Sequence, residues 1–258
     1  MSNRVDLSGV GGWAFVGWST LLFAVLYFGF AGIHLAITRW LLPALGVGRV
    51  LDARPLKQGQ VAREIGWSLV SVVIFGTGLV VPWWMIRQGW IVVLVDVPWW
   101  KVGLELSVLV LWNDVHFYVN HRLLHHKWLF PRFHLQHHRS IVVTPFTTYA
   151  FHPVEASMLT NMLIWPVMVH DFSWQALVAM PVISLWFNNV GHSNYDGFPG
   201  VAGSSVLTSA RRHHLHHAKY HGNYGFLFSF MDRLFGTTIP DEASEARPGQ
   251  DRTPAEVA

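Results

Sequence analysis

Residues 13–37 form a run of twenty-five with no charged side chain and a single histidine, His34. Crossing a bilayer takes about 20 apolar residues as a helix. Inside lipid every backbone N–H and C=O must be bonded within the protein, so only helices and closed barrels span it. A run this long and unpatterned is a spanning helix, and it fixes the solvent for the rest of the chain. Two more apolar stretches follow, at about residues 65–86 and 102–119, the last carrying Asp114 and His116 near its end. Charged residues are only 13% of the chain and apolar ones 52%, against a usual charged share of about 25% in soluble domains. Trp83, Trp84, Trp99 and Trp100 flank the second and third stretches as an interfacial aromatic belt.

The expected fold class is therefore an all-α integral membrane protein. Residues 156–190 turn apolar again, broken at HDFSWQ (170–175), a length that suits a hairpin entering and leaving on one face. Arg39, Arg49, Arg54, Lys57 and Arg63 then fall on the same side as the polar, histidine-rich segments. The positive-inside rule makes that side cytoplasmic, and the histidines form a helical metal-binding cap there. Residues 1–240 read as one domain, and 241–258, charged and poor in large apolar residues, as a disordered tail. The amino-terminal segment shows no small-residue cleavage site, so the first helix is expected to stay as an anchor. The absence of cysteine removes disulfides and thiolate sites, leaving nitrogen and oxygen to hold any metal. A net charge of +3, without a basic stripe interleaved with aromatics, points to membrane lipids and away from nucleic acid.

Sixteen histidines are present, and their spacing is the informative part. His134, His137 and His138 stand at i, i+3 and i+4, as do His213, His216 and His217, while His121 and His125 stand at i and i+4. On a helix these offsets share a face, so each segment reads as a preformed claw. His192, in GHSNYD, is a further candidate. One tetrahedral zinc cannot use so many ligands; two metals can. Imidazole suits iron as well as zinc, and O₂ activation is a step for which side chains alone are useless. An apolar substrate dissolved in the bilayer would enter such a site laterally.

HRLLHH (121–126), FHLQHH (133–138), FHPVEA (151–156), GHSNYD (191–196), RHHLHH (212–217), GNYG (222–225) and MDRLFGT (231–237) occur in that order. The region of about 110–240 that they fill resembles the fatty acid hydroxylase superfamily, which contains sterol desaturases, sterol methyl oxidases and sphingolipid fatty acid hydroxylases. The resemblance implies a di-iron, O₂-dependent membrane oxidoreductase that hydroxylates or desaturates a lipid-like substrate such as a sterol or fatty acyl chain. Zinc can substitute for the two irons in purified protein. It assigns the metal ligands to His121, His125, His134, His137, His138, His192, His213, His216 and His217.

Beside the ligands, Asp114, Glu155, Asp196 and Asn223 are candidates to hold the far ring nitrogens, since a ligating imidazole usually donates its other N–H. His152 and Glu155 are expected to pair with each other, and Asp232 with Arg233 as an ion pair closing the fold. His126 and His214 fall outside the minimal spacing and read as surface or supporting groups; His116 and His221 are unassigned. Electrons are expected from a separate ferredoxin, cytochrome or reductase, with Lys127, Arg132, Arg139, Arg211 and Arg212 as a basic docking patch. Two rival classes use the same histidines: a non-redox metal-binding or transport protein, whose ionisable groups would sit near the bilayer midplane, and a zinc hydrolase with Glu155 as base. Replacing His213, His216 or His217 by Ala should lower metal content and abolish activity, whereas His214→Ala should retain most of both. Equal loss at all four positions, measured as metal per chain, would mean that the wrong face of the segment had been assigned.

Overall fold

The computed structural model describes residues 3–240; the expected tail at 241–258 lies outside them. Three stretches are long and apolar enough to cross a membrane, Gly12–Ala44, Gln60–Arg87 and Trp99–Leu124. The first comprises α1 (Gly12–Ala36), a π-helical turn over Ile37–Leu41, and the short α2 (Leu42–Ala44). The second comprises α3 (Gln60–Gly78) and α4 (Val80–Arg87), and the third is α5 (Trp99–Leu124). The expected spans at 65–86 and 102–119 are the inner parts of these helices. The ends escape an apolar count because Gln60, Glu64 and Lys101 belong to them.

Residues 153–191 form the expected hairpin. It descends as α7 (Pro153–Thr160), a 3-10 turn and α8 (Ile164–Val169), and returns as α9 (Trp174–Gly191). Its tip is fixed at the end of the molecule away from the histidines, where the Leu94 N–H donates to Phe172 O (2.9 Å) and the Trp174 N–H to Leu94 O (2.9 Å). Glu105 anchors the same tip from α5 by accepting from the Ser173 N–H at 2.9 Å. Thus the hairpin runs the full depth of the bundle. At the opposite end lie α6 (Leu135–His138), α10 (Ser209–Lys219), α11 (Phe230–Leu234) and a two-stranded ribbon pairing β1 (Arg49–Val50) with β2 (Tyr195–Asp196).

Between lipid-facing helices the hydrophobic effect gives little drive, and close backbone approach takes its place. Gly76 supplies it between α1 and α3, because a Cβ there would run into Thr20, and Ser19 Oγ donates to Gly76 O across the same contact (2.8 Å). The shared core of α1, α3, α7 and α9 is aromatic, with Tyr27 stacked on Tyr149 at a centroid distance of 5.8 Å. Trp84, Trp99 and Trp100 face outward as a belt, whereas Trp83 turns inward to line a cavity.

Where the bundle meets the histidine-bearing segments, buried Glu64 collects donors from three parts of the chain. Its oxygens accept from Gln60 Nε2 (2.8 Å), Ser140 Oγ (2.6 Å) and Thr144 Oγ1 (2.6 Å), tying the segment after α6 to α3. Glu64→Ala strands these buried donors and, at roughly 1 kcal/mol for each lost bond, should destabilise the protein by about 3 kcal/mol. A melting temperature of the purified variant equal to that of the wild type would contradict this.

Candidate metal centre

Nine histidines from four chain segments converge at one end of the bundle in two sets. In the first set a ring nitrogen from each of His121, His125, His134, His138 and His216 lies within 4.8 Å of the others; in the second the same holds for His137, His192, His213 and His217. The sets adjoin, with the His138 and His217 rings stacked at a centroid distance of 4.6 Å. All nine residues singled out in the sequence are brought together.

The triplets do not act as separate claws. His134 and His138 enter the first set while His137 enters the second, and His213 and His217 enter the second while His216 enters the first. At 3.6 residues per turn, i+3 and i+4 diverge by about 100° and fall on either side of position i. Each triplet therefore straddles the seam and contributes to both sets. In FHLQHH the geometry is helped by a π-helical turn over Phe130–His134, which leads directly into α6.

Facing nitrogens are close. His138 Nε2 lies 3.2 Å from His125 Nε2 and 3.0 Å from His216 Nε2. In the second set His192 Nε2 lies 3.2 Å from His137 Nε2 and 2.9 Å from His213 Nε2, which is 3.1 Å from His217 Nε2. Nitrogens held ~2.1 Å from one ion necessarily sit at such separations from their neighbours. The outer nitrogens decide the protonation. His121 Nδ1 meets Tyr224 O (2.9 Å), His216 Nδ1 meets Gly222 O (2.7 Å) and His192 Nδ1 meets Asn188 O (2.8 Å). A carbonyl oxygen only accepts, so each Nδ1 carries the proton and each Nε2 is left with a bare lone pair. His121 Nε2 and His134 Nε2 are buried without any partner. Bare lone pairs pressed together in a water-free site are stabilised by a cation, and the residues fit a metal.

Of the expected supporting residues, Glu155 touches a histidine of the first set: its Oε1 lies 2.8 Å from His134 Nδ1. It does not pair with His152, whose ring instead caps α7 by accepting from the Val154 N–H at 3.2 Å. Asp114 works one layer further out, accepting from the Leu227 and Phe228 N–H groups (2.7 and 3.0 Å). Asp196 pairs with Arg211 (3.1 Å), and Asn223 accepts from the Ile239 N–H (2.9 Å) while donating to Arg212 O (3.2 Å). Asp232 forms no ion pair with Arg233; its carboxylate accepts from the Tyr224 N–H (2.8 Å), the Gly225 N–H (2.7 Å) and Thr237 Oγ1 (2.7 Å). Asp114 and Asp232 thus pin the loop whose carbonyls aim His121 and His216. Both glycines of GNYG are needed in that loop. Gly222 has φ +70°, and a Cβ at Gly225 would lie 2.6 Å from Phe228 O.

The remaining histidines lie elsewhere. His126 and His221 are exposed, His214 turns toward Asp52 and Arg54, and His116 lines a cavity. Arg211 and Arg212 are buried, so they leave the basic surface to Lys127, Arg132 and Arg139; Arg212 donates to Leu227 O at 2.7 Å. Sequence reasoning missed the carbonyls of Asn188, Gly222 and Tyr224, because any residue type supplies a carbonyl.

Between the helices runs an apolar cavity of about 340 Å³. Its wall includes Phe117, whose ring is 5.0 Å from that of His121, and Phe151, 5.0 Å from that of His137. The cavity therefore reaches both sets. Leu22, Trp174 and Val178, each more than 40% exposed on the outer face of the bundle, also line it, so it opens sideways toward lipid.

The chain belongs to the fatty acid hydroxylase family, whose model matches residues 106–237, just over half of the sequence. It is 32% identical over 141 residues to Delta(7)-sterol 5(6)-desaturase ERG3A of Gibberella zeae, covering 54% of this chain and 38% of that protein. It is 28% identical over 175 residues to Delta(7)-sterol 5(6)-desaturase of Candida glabrata, covering 65% and 47%. Against very-long-chain aldehyde decarbonylase CER1 of Arabidopsis thaliana it is 25% identical over 243 residues, covering 87% and 36%. The matched segment is thus less than half the length of each of these relatives. No solved structure matches significantly.

Burial drives His134, His137, His138, His213, His216 and His217 well below the ordinary imidazole range, and neighbouring imidazoles add to the effect. Burial likewise lowers His192 to about 4, against the opposing pull of the Asn188 carbonyl. They are neutral at neutral pH, the form a metal binds. In the unfolded chain the same imidazoles titrate near ~6.5, so below that pH the unfolded state binds more protons than the folded one. Stability of the metal-free protein should be constant above pH ~6.5 and fall steadily below it. Melting temperatures unchanged between pH ~7.5 and ~5.5 would contradict this assignment of neutral histidines.

Proposed function

We propose that this protein is a membrane di-iron, O₂-dependent oxidoreductase that hydroxylates or desaturates an apolar, lipid-like molecule. The observation that carries the reading is the pair of adjoining imidazole sets at the inner end of a lipid-facing apolar cavity. His121, His125, His134, His138 and His216 hold one iron, and His137, His192, His213 and His217 the other. Five nitrogens exceed the four that a structural zinc takes and suit the larger coordination number of iron. When bound, such a pair supplies O₂ activation for attack on an unactivated C–H bond, which no side chain provides.

The chain's own residues do the rest. Carbonyls of Asn188, Gly222 and Tyr224 keep the imidazoles in the ligating tautomer. Phe117, Phe151 and Phe226 wall the cavity where it meets the histidines and keep water from it. The relatives named as sterol desaturases and as an aldehyde decarbonylase carry names for reactions on long apolar molecules, and a cavity of this lining favours the same substrate class here.

Arg39, Arg49, Arg54, Lys57 and Arg63 lie at the end of the bundle that holds the histidines, which supports a cytoplasmic active site under the positive-inside rule. Exposed Lys127, Arg132 and Arg139 beside the second histidine segment give a separate acidic electron carrier a surface to meet. Elemental mass spectrometry of detergent-purified protein, expressed with iron supplementation and handled anaerobically, should find about two irons per chain. No iron, or a single tightly held zinc, would overturn the di-iron reading.

A further inference from the structure

The cavity is lined mostly by aliphatic and aromatic side chains, with a few polar groups among them, Thr160 of α7 included. Asn113 and His116 on α5, and Ser184 and Asn188 on α9, all line it. None of these four side chains makes a hydrogen bond to the described residues of the chain, although Asn113 is only 8% and Asn188 only 9% exposed. Several other polar side chains of the bundle are engaged, since Ser19 and Ser68 donate to carbonyls and Trp112 Nε1 donates to Met162 O at 2.7 Å, whereas Thr160 Oγ1 and Trp83 Nε1 in the cavity wall are buried without a partner. An amide left without partners in an apolar environment is destabilising. Two such amides in a spanning bundle mark a place where a ligand completes the bonding.

Their position within the cavity is defined. Asn188 is one helical turn before His192 and holds it by its own carbonyl. Phe117, next to His116, packs on His121. Along each helix the polar groups therefore lie within one to two turns of a histidine of the site. Ser184 and Asn188 share a face of α9, as Asn113 and His116 share one of α5, and α5 packs against α9. The wall toward the lipid-facing opening, with Leu22, Trp174 and Val178, offers no such pair of amides.

We infer that Asn113, His116, Ser184 and Asn188 form a polar subsite at the inner end of the cavity. It receives a hydroxyl or carbonyl oxygen of an otherwise apolar ligand, which enters polar group first and leaves its apolar body toward the bilayer. Asparagine amides donate to either kind of oxygen and accept from a hydroxyl, and the imidazole and Ser184 can do the same. The inference rests on the cavity being the substrate chamber of the proposed oxidoreductase. It adds that the reacting carbon is a few bonds from the oxygen, since subsite and metal centre are adjacent along both helices. These four are positioning residues.

The test is equilibrium binding to the detergent-purified, iron-loaded protein of two matched pairs, hexadecanol with hexadecane and cholestanol with cholestane. Each pair differs in one hydroxyl, and a single bond is worth up to about tenfold in affinity. The wild type should prefer the alcohol of at least one pair by about tenfold, and the pair with the larger ratio identifies a linear or a fused-ring body. Asn113→Leu and Asn188→Leu should bring that ratio close to one while still binding the alkane, with iron content as in the wild type. Ser184→Ala, a smaller change, should lower the ratio in the same direction and guards against misfolding of the leucine variants. Equal affinity within both pairs, no binding of either alcohol, or a ratio unchanged in all three variants would overturn the subsite. Iron content, measured separately on the same samples, reports on the di-iron reading whichever way the ratio falls.

Discussion

Nine imidazoles turned toward one another, eight of them buried, are the constraint around which the rest of the protein is arranged. Their Nε2 atoms lie about 3 Å apart, and burial removes the water that would otherwise cover them. The fold must therefore hold them in place by other bonds. It does so with backbone carbonyls behind Nδ1, with Glu155 behind His134, and with a further layer of carboxylates, Asp114 and Asp232, that fixes the loop supplying two of those carbonyls. Among the buried carboxylates of this cap, Asp232 and Glu64 are each met by several donors.

Membrane helices bring this cap and an apolar chamber together. The four segments that carry the nine histidines lie at one end of the bundle, and α7 to α9 descend to the opposite end and return, so that Glu155 and His192 close on the centre from either end of one hairpin. The same hairpin walls the chamber. The histidine cluster and the apolar cavity are thus built from shared helices.

Membership of the fatty acid hydroxylase family agrees with the ordered histidine motifs and with the spans. Departures from sequence reasoning came from side-chain partners. Asp232 and Arg233 are adjacent and opposite in charge, yet adjacent residues on a helix point in different directions, and Asp232 turns inward to two backbone N–H groups. Arg211 and Arg212 precede the third histidine segment like the loop cations elsewhere, but they begin a buried helix and are spent on Asp196 and on carbonyls. His152 and Glu155 lie at helical spacing, but Pro153 starts α7 after His152, leaving His152 as the cap and Glu155 free to reach His134.

By itself the sequence determined the solvent, the spans, the hairpin and the nine histidines, because those signals are local: length of an apolar run, absence of charge, and repeated i, i+3, i+4 spacing. Only the tertiary structure decided how the histidines divide. Each triplet straddles two sets because its helix faces the seam between them, and a facing direction is a property of packing. The aiming carbonyls of Asn188, Gly222 and Tyr224 were likewise invisible, since a carbonyl is common to all residues and only its distance from an imidazole gives it a role. So were the unpartnered amides of Asn113 and Asn188, which read as ordinary polar residues until two helices are set side by side and the space between them proves to be apolar.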